Sequence, residues 1–180
     1  SQAVALGGNS AAVGYAAIGI GRNSYAGSGS AQDDPSPLAS YAIAIGGSTT
    51  GAFESGANAY GYQAVSIGSD SAATGDTATS VGATSVSSGL LASSFGYNAK
   101  ATANNSTALG ANSSTAGFAG STAIGVGATN TATNQMMLGT AATTYTAPGI
   151  TSAASSAAQS GSIKLSLIHI SEPTRLGMIS

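Results

Sequence analysis

The sequence predicts an all-β chain, folded as a narrow parallel β-solenoid in coils of about fourteen residues with two short strands each. Three observations lead there. An apolar residue followed by glycine returns at fourteen-residue intervals, a second glycine-tolerant position follows each first glycine by seven residues, and between them apolar residues alternate with Ala, Ser or Gly. Alternation with β-branched residues is a strand pattern, and a fixed short period marks stacked structural units.

The first beat runs Leu6-Gly7 and Ile20-Gly21, then Ile67-Gly68, Val81-Gly82, Phe95-Gly96 and Leu109-Gly110. One extra residue precedes Ile124-Gly125, and Leu138-Gly139 restores the interval. Phe53-Glu54 stands in frame with Ile67, with Glu replacing the glycine, whereas Ile45-Gly46 lies eight residues earlier and marks a slip. The second beat falls on Gly14, Gly61, Gly75, Gly89 and Gly117, with Ala103 and Ala132 as substitutes. Glycine at such places supplies positive φ or a close backbone approach, as a tight corner requires.

In the first segment, Val4/Leu6, Ile18/Ile20, Ile43/Ile45, Val65/Ile67 and Met136/Leu138 share a face by two-residue spacing. The second segment holds Ser71 and Ala73, Ser85 and Ser87, Ser113 and Thr115, small enough to point into a cramped interior. Two strands and two corners make one coil. About ten coils stacked at ~4.8 Å would give a rod of about 48 Å. Ser-Thr-Ala-Leu-Gly (106–110) then lies directly beside Ser-Thr-Ala-Ile-Gly (121–125). A coil this narrow buries little apolar area by itself, so the apolar stripe is expected to be shared between chains. One stretch breaks the pattern: Gly27 to Ser40, with two Pro and the pair Asp33-Asp34, reads as a loop thrown out between coils.

Composition narrows the function. Charged residues are 6% of the 180, against ~25% in an average domain, and net charge is −2, which gives nucleic acid no basic footprint. There is no Cys and no apolar run of membrane-spanning length. The chain opens Ser-Gln-Ala without Met or a signal peptide, so an internal fragment of a longer protein is expected.

Catalysis finds little support. Outside the last sixteen residues there is no His or Cys, and the acids are Asp33, Asp34, Glu54, Asp70 and Asp76. Asp70 and Asp76 flank the two turns of one coil, and no other coil supplies supporting groups, so they read as solvated corner residues. Asp33-Asp34 is too small a set for a hard cation, which wants six or more oxygens. The glycines at 7–8 and 19–21 are followed by no helix signal and no G-K-[ST], so they read as corners and not as a phosphate loop. No enzyme, metal or cofactor is expected. Ice binding would need a continuous threonine file, but the position of Thr79, Thr107 and Thr122 also holds Val65, Ser93 and Met136. The candidate binding residues are Tyr15, Tyr62 and Tyr97, each directly after a repeat glycine, because tyrosine is a rigid contact residue with a polar tip.

The segments AVALGGNSAAVG, AVSIGSDSAATG and STALGANSSTAG resemble the head repeat of YadA-like trimeric autotransporter adhesins, approximately S-V-A-I-G-x-x-A-x-A-x-G-x-x. The likeness covers about residues 1–140. It implies a left-handed parallel β-roll with three chains side by side, a homotrimer carried by type V secretion to the outer membrane of a Gram-negative bacterium. Its implied partners are host extracellular matrix, cells, abiotic surfaces or other bacteria. A trimeric phage fibre is the alternative of similar build. Residues 141–164 resemble the exit from such a head toward a stalk, without the neck signature D-A-V-N-V-x-Q-L. The stalk and the membrane anchor are therefore expected in the parent protein. Residues 165–180 share nothing with the repeats. Leu165 to Arg175, LSLIHISEPTR, reads as a translated sequencing-library adapter, with Leu176 to Met178 as a barcode and Ile179-Ser180 as its continuation. Residues 165–180 are therefore expected to be a non-native artefact, and His169 and Glu172 no part of any site.

Overall fold

The computed structural model describes residues 2–27, 41–48 and 56–146. The loop after Gly27 with Asp33 and Asp34, the Phe53-Glu54 frame, and residues 147–180 with the adapter-like tail lie outside the described residues.

Two parallel sheets form the solenoid. Nine three-residue strands make the first: β1 (Val4–Leu6), β3 (Ile18–Ile20), β5 (Ile43–Ile45), β7 (Val65–Ile67), β9 (Thr79–Val81), β11 (Ser93–Phe95), β13 (Thr107–Leu109), β14 (Thr122–Ile124) and β15 (Met136–Leu138). Six two-residue strands make the second: β2 (Ala11–Ala12), β4 (Tyr25–Ala26), β6 (Asn58–Ala59), β8 (Ala72–Ala73), β10 (Val86–Ser87) and β12 (Lys100–Ala101). Among the described residues there is no helix. From β1 to β13 the chain alternates between the sheets, and each strand pairs with the next of its own kind. Beyond β12 the second sheet continues only as single bridges from Lys100 to Ser114 and from Ser114 to Thr129.

Register follows the repeat. Leu6 pairs with Ile20, Ile67 with Val81, Phe95 with Leu109, and Leu109 with Ile124. The two copies of the Ser-Thr-Ala phrase are therefore adjacent, with Thr107 opposite Thr122. One frame is corrected. The partner of Ile67 is Ile45 and not Phe53, because the sheet passes directly from β5 to β7. The extra residues fall between β4 and β5 and again between β5 and β6, and the first sheet continues from β3 through β5 to β7. Among the described residues nine rungs stack, close to the expected ten or so.

The two beats are two different corners. The first-beat turn Gly82-Ala83-Thr84-Ser85 closes with a bond from the Ser85 amide to the Gly82 carbonyl at 3.2 Å, and Gly82 has φ +134°. An added Cβ there would also meet the Gly96 carbonyl of the next coil. At the second beat, Gly75 needs no positive φ. It is required because a Cβ would strike the carbonyl oxygen of Gly89. At most of these corners the residue two positions on sits in the left-handed region, and Asn9, Asn23, Asn98 and Asn112 after glycine, with Asn105 after Ala103, favour it.

The interior is filled by the smallest side chains. Ala44, Ser66, Ser80, Ser94 and Ala108 point inward from the first sheet and are fully buried. Ser71, Ala73, Ser85, Ser87, Ser113 and Thr115 meet them from the second. Toward β1 the core is alanine; in the middle coils it is a hydroxyl network. Ser80 Oγ lies 2.7 Å from Ser85 Oγ and 3.2 Å from Ser94 Oγ, and Ser87 donates to Ser94 at 2.7 Å. These inward hydroxyls are tolerated because each finds a partner.

With the small residues inside, the larger ones face out. Two outward files run along the nine-stranded sheet. One contains Leu6, Ile20, Ile45, Ile67, Val81, Phe95, Leu109, Ile124 and Leu138. The other changes character, from Val4, Ile18, Ile43 and Val65, through Thr79, Ser93, Thr107 and Thr122, to Met136.

Candidate adhesive surface

The three tyrosines singled out in the sequence do not share one place. Tyr15 and Tyr62 follow second-beat glycines and stand at one corner of the coils; Tyr97 follows the first-beat Gly96 and stands at the other. The frame of the repeat contains this distinction, since Gly14 and Gly61 belong to one beat and Gly96 to the other.

The structure adds a residue to the first group. Tyr41 lies between Tyr15 and Tyr62, its amide bonded to the Tyr15 carbonyl at 2.8 Å. Its ring meets Tyr15 edge-on, with centroids 5.8 Å apart at 79°, and meets Tyr62 at 6.4 Å and 82°. Edge-to-face packing matches the positive ring edge with the negative face. Tyr15 and Tyr41 keep about half their surface exposed, at 54% and 49%. The long insertion before Tyr41 hides its place in the repeat from a frame count. Two coils beyond Tyr62, the same corner carries the exposed Leu90 and Leu91. A second pair, Tyr25 and Tyr60, packs at 5.2 Å, and Tyr25 is buried.

Tyr97 is exposed and stands alone among the described aromatic contacts. Its neighbour Asn98 donates from Nδ2 to Asn112 Oδ1 of the following coil at 2.9 Å, so a side-chain ladder reinforces that corner. Charge is sparse. Among the described residues only Arg22, Asp70, Asp76 and Lys100 carry it. Asp70 and Asp76 stand at opposite corners of their coil, and Asp76 Oδ1 accepts from the Tyr62 amide at 3.0 Å. That carboxylate caps the corner of the preceding coil. Among the described residues no group of three or more His, Cys, Asp or Glu gathers as a metal site would require.

The sequence profile described as the YadA head domain repeat matches twice, at residues 59–85 and 87–113. These spans cover the unbroken fourteen-residue frame from β6 to the second-sheet segment after β13. No curated protein sequence matches the chain. Among solved structures, the chain is similar to the collagen-binding domain of the Yersinia adhesin YadA, at 19% identity and a TM-score of 0.41. That alignment covers 82% of this chain and 86% of the other. The fourteen-residue coils, the parallel ladders and the profile agree over residues 59–113, which match the YadA head domain repeat twice in one frame.

Proposed function

We propose that this chain is the head of a trimeric cell-surface adhesin, displayed outside the outer membrane and binding without catalysis. The observation that carries the reading is the pair of YadA head repeats at 59–85 and 87–113. The assembly is supported by the outward apolar file. Leu6, Ile45, Ile67, Phe95, Leu109 and Leu138 keep 36–65% of their surface exposed in the single chain. With Val4 and Met136 they leave on the order of 700 Å² of apolar surface on one face. That exceeds the ~300–600 Å² of a typical monomer's largest patch and approaches the ~800 Å² per partner of a stable interface. Side-by-side copies of the same face cover it.

The adhesive surface is formed by Tyr15, Tyr41 and Tyr62 at one corner and Tyr97 at the other. Three copies multiply these contacts around the axis, and many heads on one surface multiply them again. Weak contacts made in parallel reinforce one another through effective concentration, so no deep pocket is needed. Matrix proteins are the first targets to test, since the similar Yersinia domain is described as collagen-binding. Beads coated with the chain are expected to adhere to collagen, to other matrix proteins, to plastic or to each other more than beads bearing an unrelated trimer. Equal adhesion on every surface would leave a spacer and remove the adhesin reading.

A further inference from the structure

We propose that the faces of neighbouring copies close on each other along both outward files from β1 to β7, but leave a water-filled bay along β9, β11, β13 and β14, lined by Thr79, Ser93, Thr107 and Thr122. This rests on the shared face argued above and adds where that face is wet. The file changes from aliphatic to hydroxyl between Val65 and Thr79 and returns to apolar at Met136, while the adjacent file stays apolar throughout. The four residues are in register on successive strands and half-buried in the single chain. None of the four hydroxyls has a hydrogen-bond partner among the described residues, although the inward serines of the same coils are bonded to one another. A hydroxyl sealed against an apolar surface without a partner is destabilising, whereas one facing ordered water is not. The partner copy is the other wall: without it these residues form an open row, and with it they form a bay closed by Val65 at one end and Met136 at the other. Four strands spaced at ~4.8 Å make the bay about 14 Å long between its outer strands.

The chain contains no cysteine, so single thiols report on each position. Variants of the 180-residue chain, Ile43→Cys, Ile67→Cys, Leu109→Cys and Thr107→Cys, are treated with a thiol reagent, native and after unfolding in guanidinium. Thr107→Cys is expected to react within about 10-fold of its unfolded rate, and the other three at least about 100-fold more slowly, as sites that open only when the assembly does. Thr122→Cys provides the same reading should Thr107→Cys lose its β circular dichroism. Protection of both Thr107→Cys and Thr122→Cys equal to that of Ile43→Cys would overturn the bay and leave the shared face standing. Fast reaction at Ile67→Cys and Leu109→Cys would overturn the shared face itself.

Discussion

Replacing Ile67 by Asp places a carboxylate in the middle of the outward apolar file, between Ile45 and Val81. In the single chain Ile67 already has 63% of its surface covered, leaving 37% for a second copy to bury. Full burial of an isoleucine stabilises by roughly 1.5–3 kcal/mol, so the share left to assembly is about 0.6–1 kcal/mol per chain. An unpaired acid at the same place adds a desolvation penalty of about 1–3 kcal/mol even when it takes up a proton. Together these give roughly 2–4 kcal/mol per chain, repeated in every copy of the assembly. Burial raises the pKa of the introduced carboxyl in the assembled state. Its penalty is therefore smallest below the unfolded value of ~3.9 and grows as pH rises through the raised folded value. The assay is thermal unfolding followed by circular dichroism at several protein concentrations, at pH 4 and pH 7. The expected outcome is a lower melting temperature at pH 7, partly restored at pH 4, with loss of assembled mass at high dilution. An unchanged melting temperature at pH 7 would mean that this file faces solvent in the native state, and the shared face would be refuted.

Gly75→Ala is expected to destabilise the chain by several kcal/mol, because the new Cβ meets the Gly89 carbonyl oxygen and no side chain can yield; denaturant unfolding measures it. Gly8→Ala, where a Cβ meets nothing within 4 Å, serves as the control and should change stability little. Ser80→Ala removes a hydroxyl bonded to both Ser85 and Ser94, with an expected loss of about 1–3 kcal/mol in the same assay. Replacing Tyr15, Tyr41 and Tyr62 together with Ser should weaken bead adhesion more than Tyr97→Ser does, with circular dichroism unchanged in both. Equal adhesion by all variants removes the tyrosines from the binding surface.

The fold was legible because it is built from a repeated local rule. Alternation in Val65-Ser66-Ile67 marks a strand, and glycine at 68 and 75 marks two corners. Strict spacing also forces the strands to stack in register. The slip near Phe53 was legible as a slip but not as an outcome. Counting in fourteens favours Phe53, yet a solenoid can lengthen any corner at little entropic cost, and the ladder selects the strand that pairs best, Ile45. The inward or outward sense of the alternation followed from size: Ser66 and Ser80 fit between two backbones this close, and Ile67 does not. The tyrosine surface was only half legible. The two beats separate Tyr97 from Tyr15 and Tyr62, but Tyr41 follows an insertion that breaks the count. Its place became visible only through its hydrogen bond to Tyr15 and its contacts with both rings. The hydroxyl stretch from Thr79 to Thr122 was visible as residues. Its meaning depends on the neighbouring file, which register alone supplies.

Light scattering coupled to size exclusion tests the shared apolar face most directly. The chain has a mass of 17.0 kDa. Folded, β-rich material is expected at about 51 kDa, three times that value, with a melting temperature that falls on dilution as assembly linkage requires. A stable β-rich monomer whose melting temperature does not depend on concentration would contradict the shared face and the trimer together.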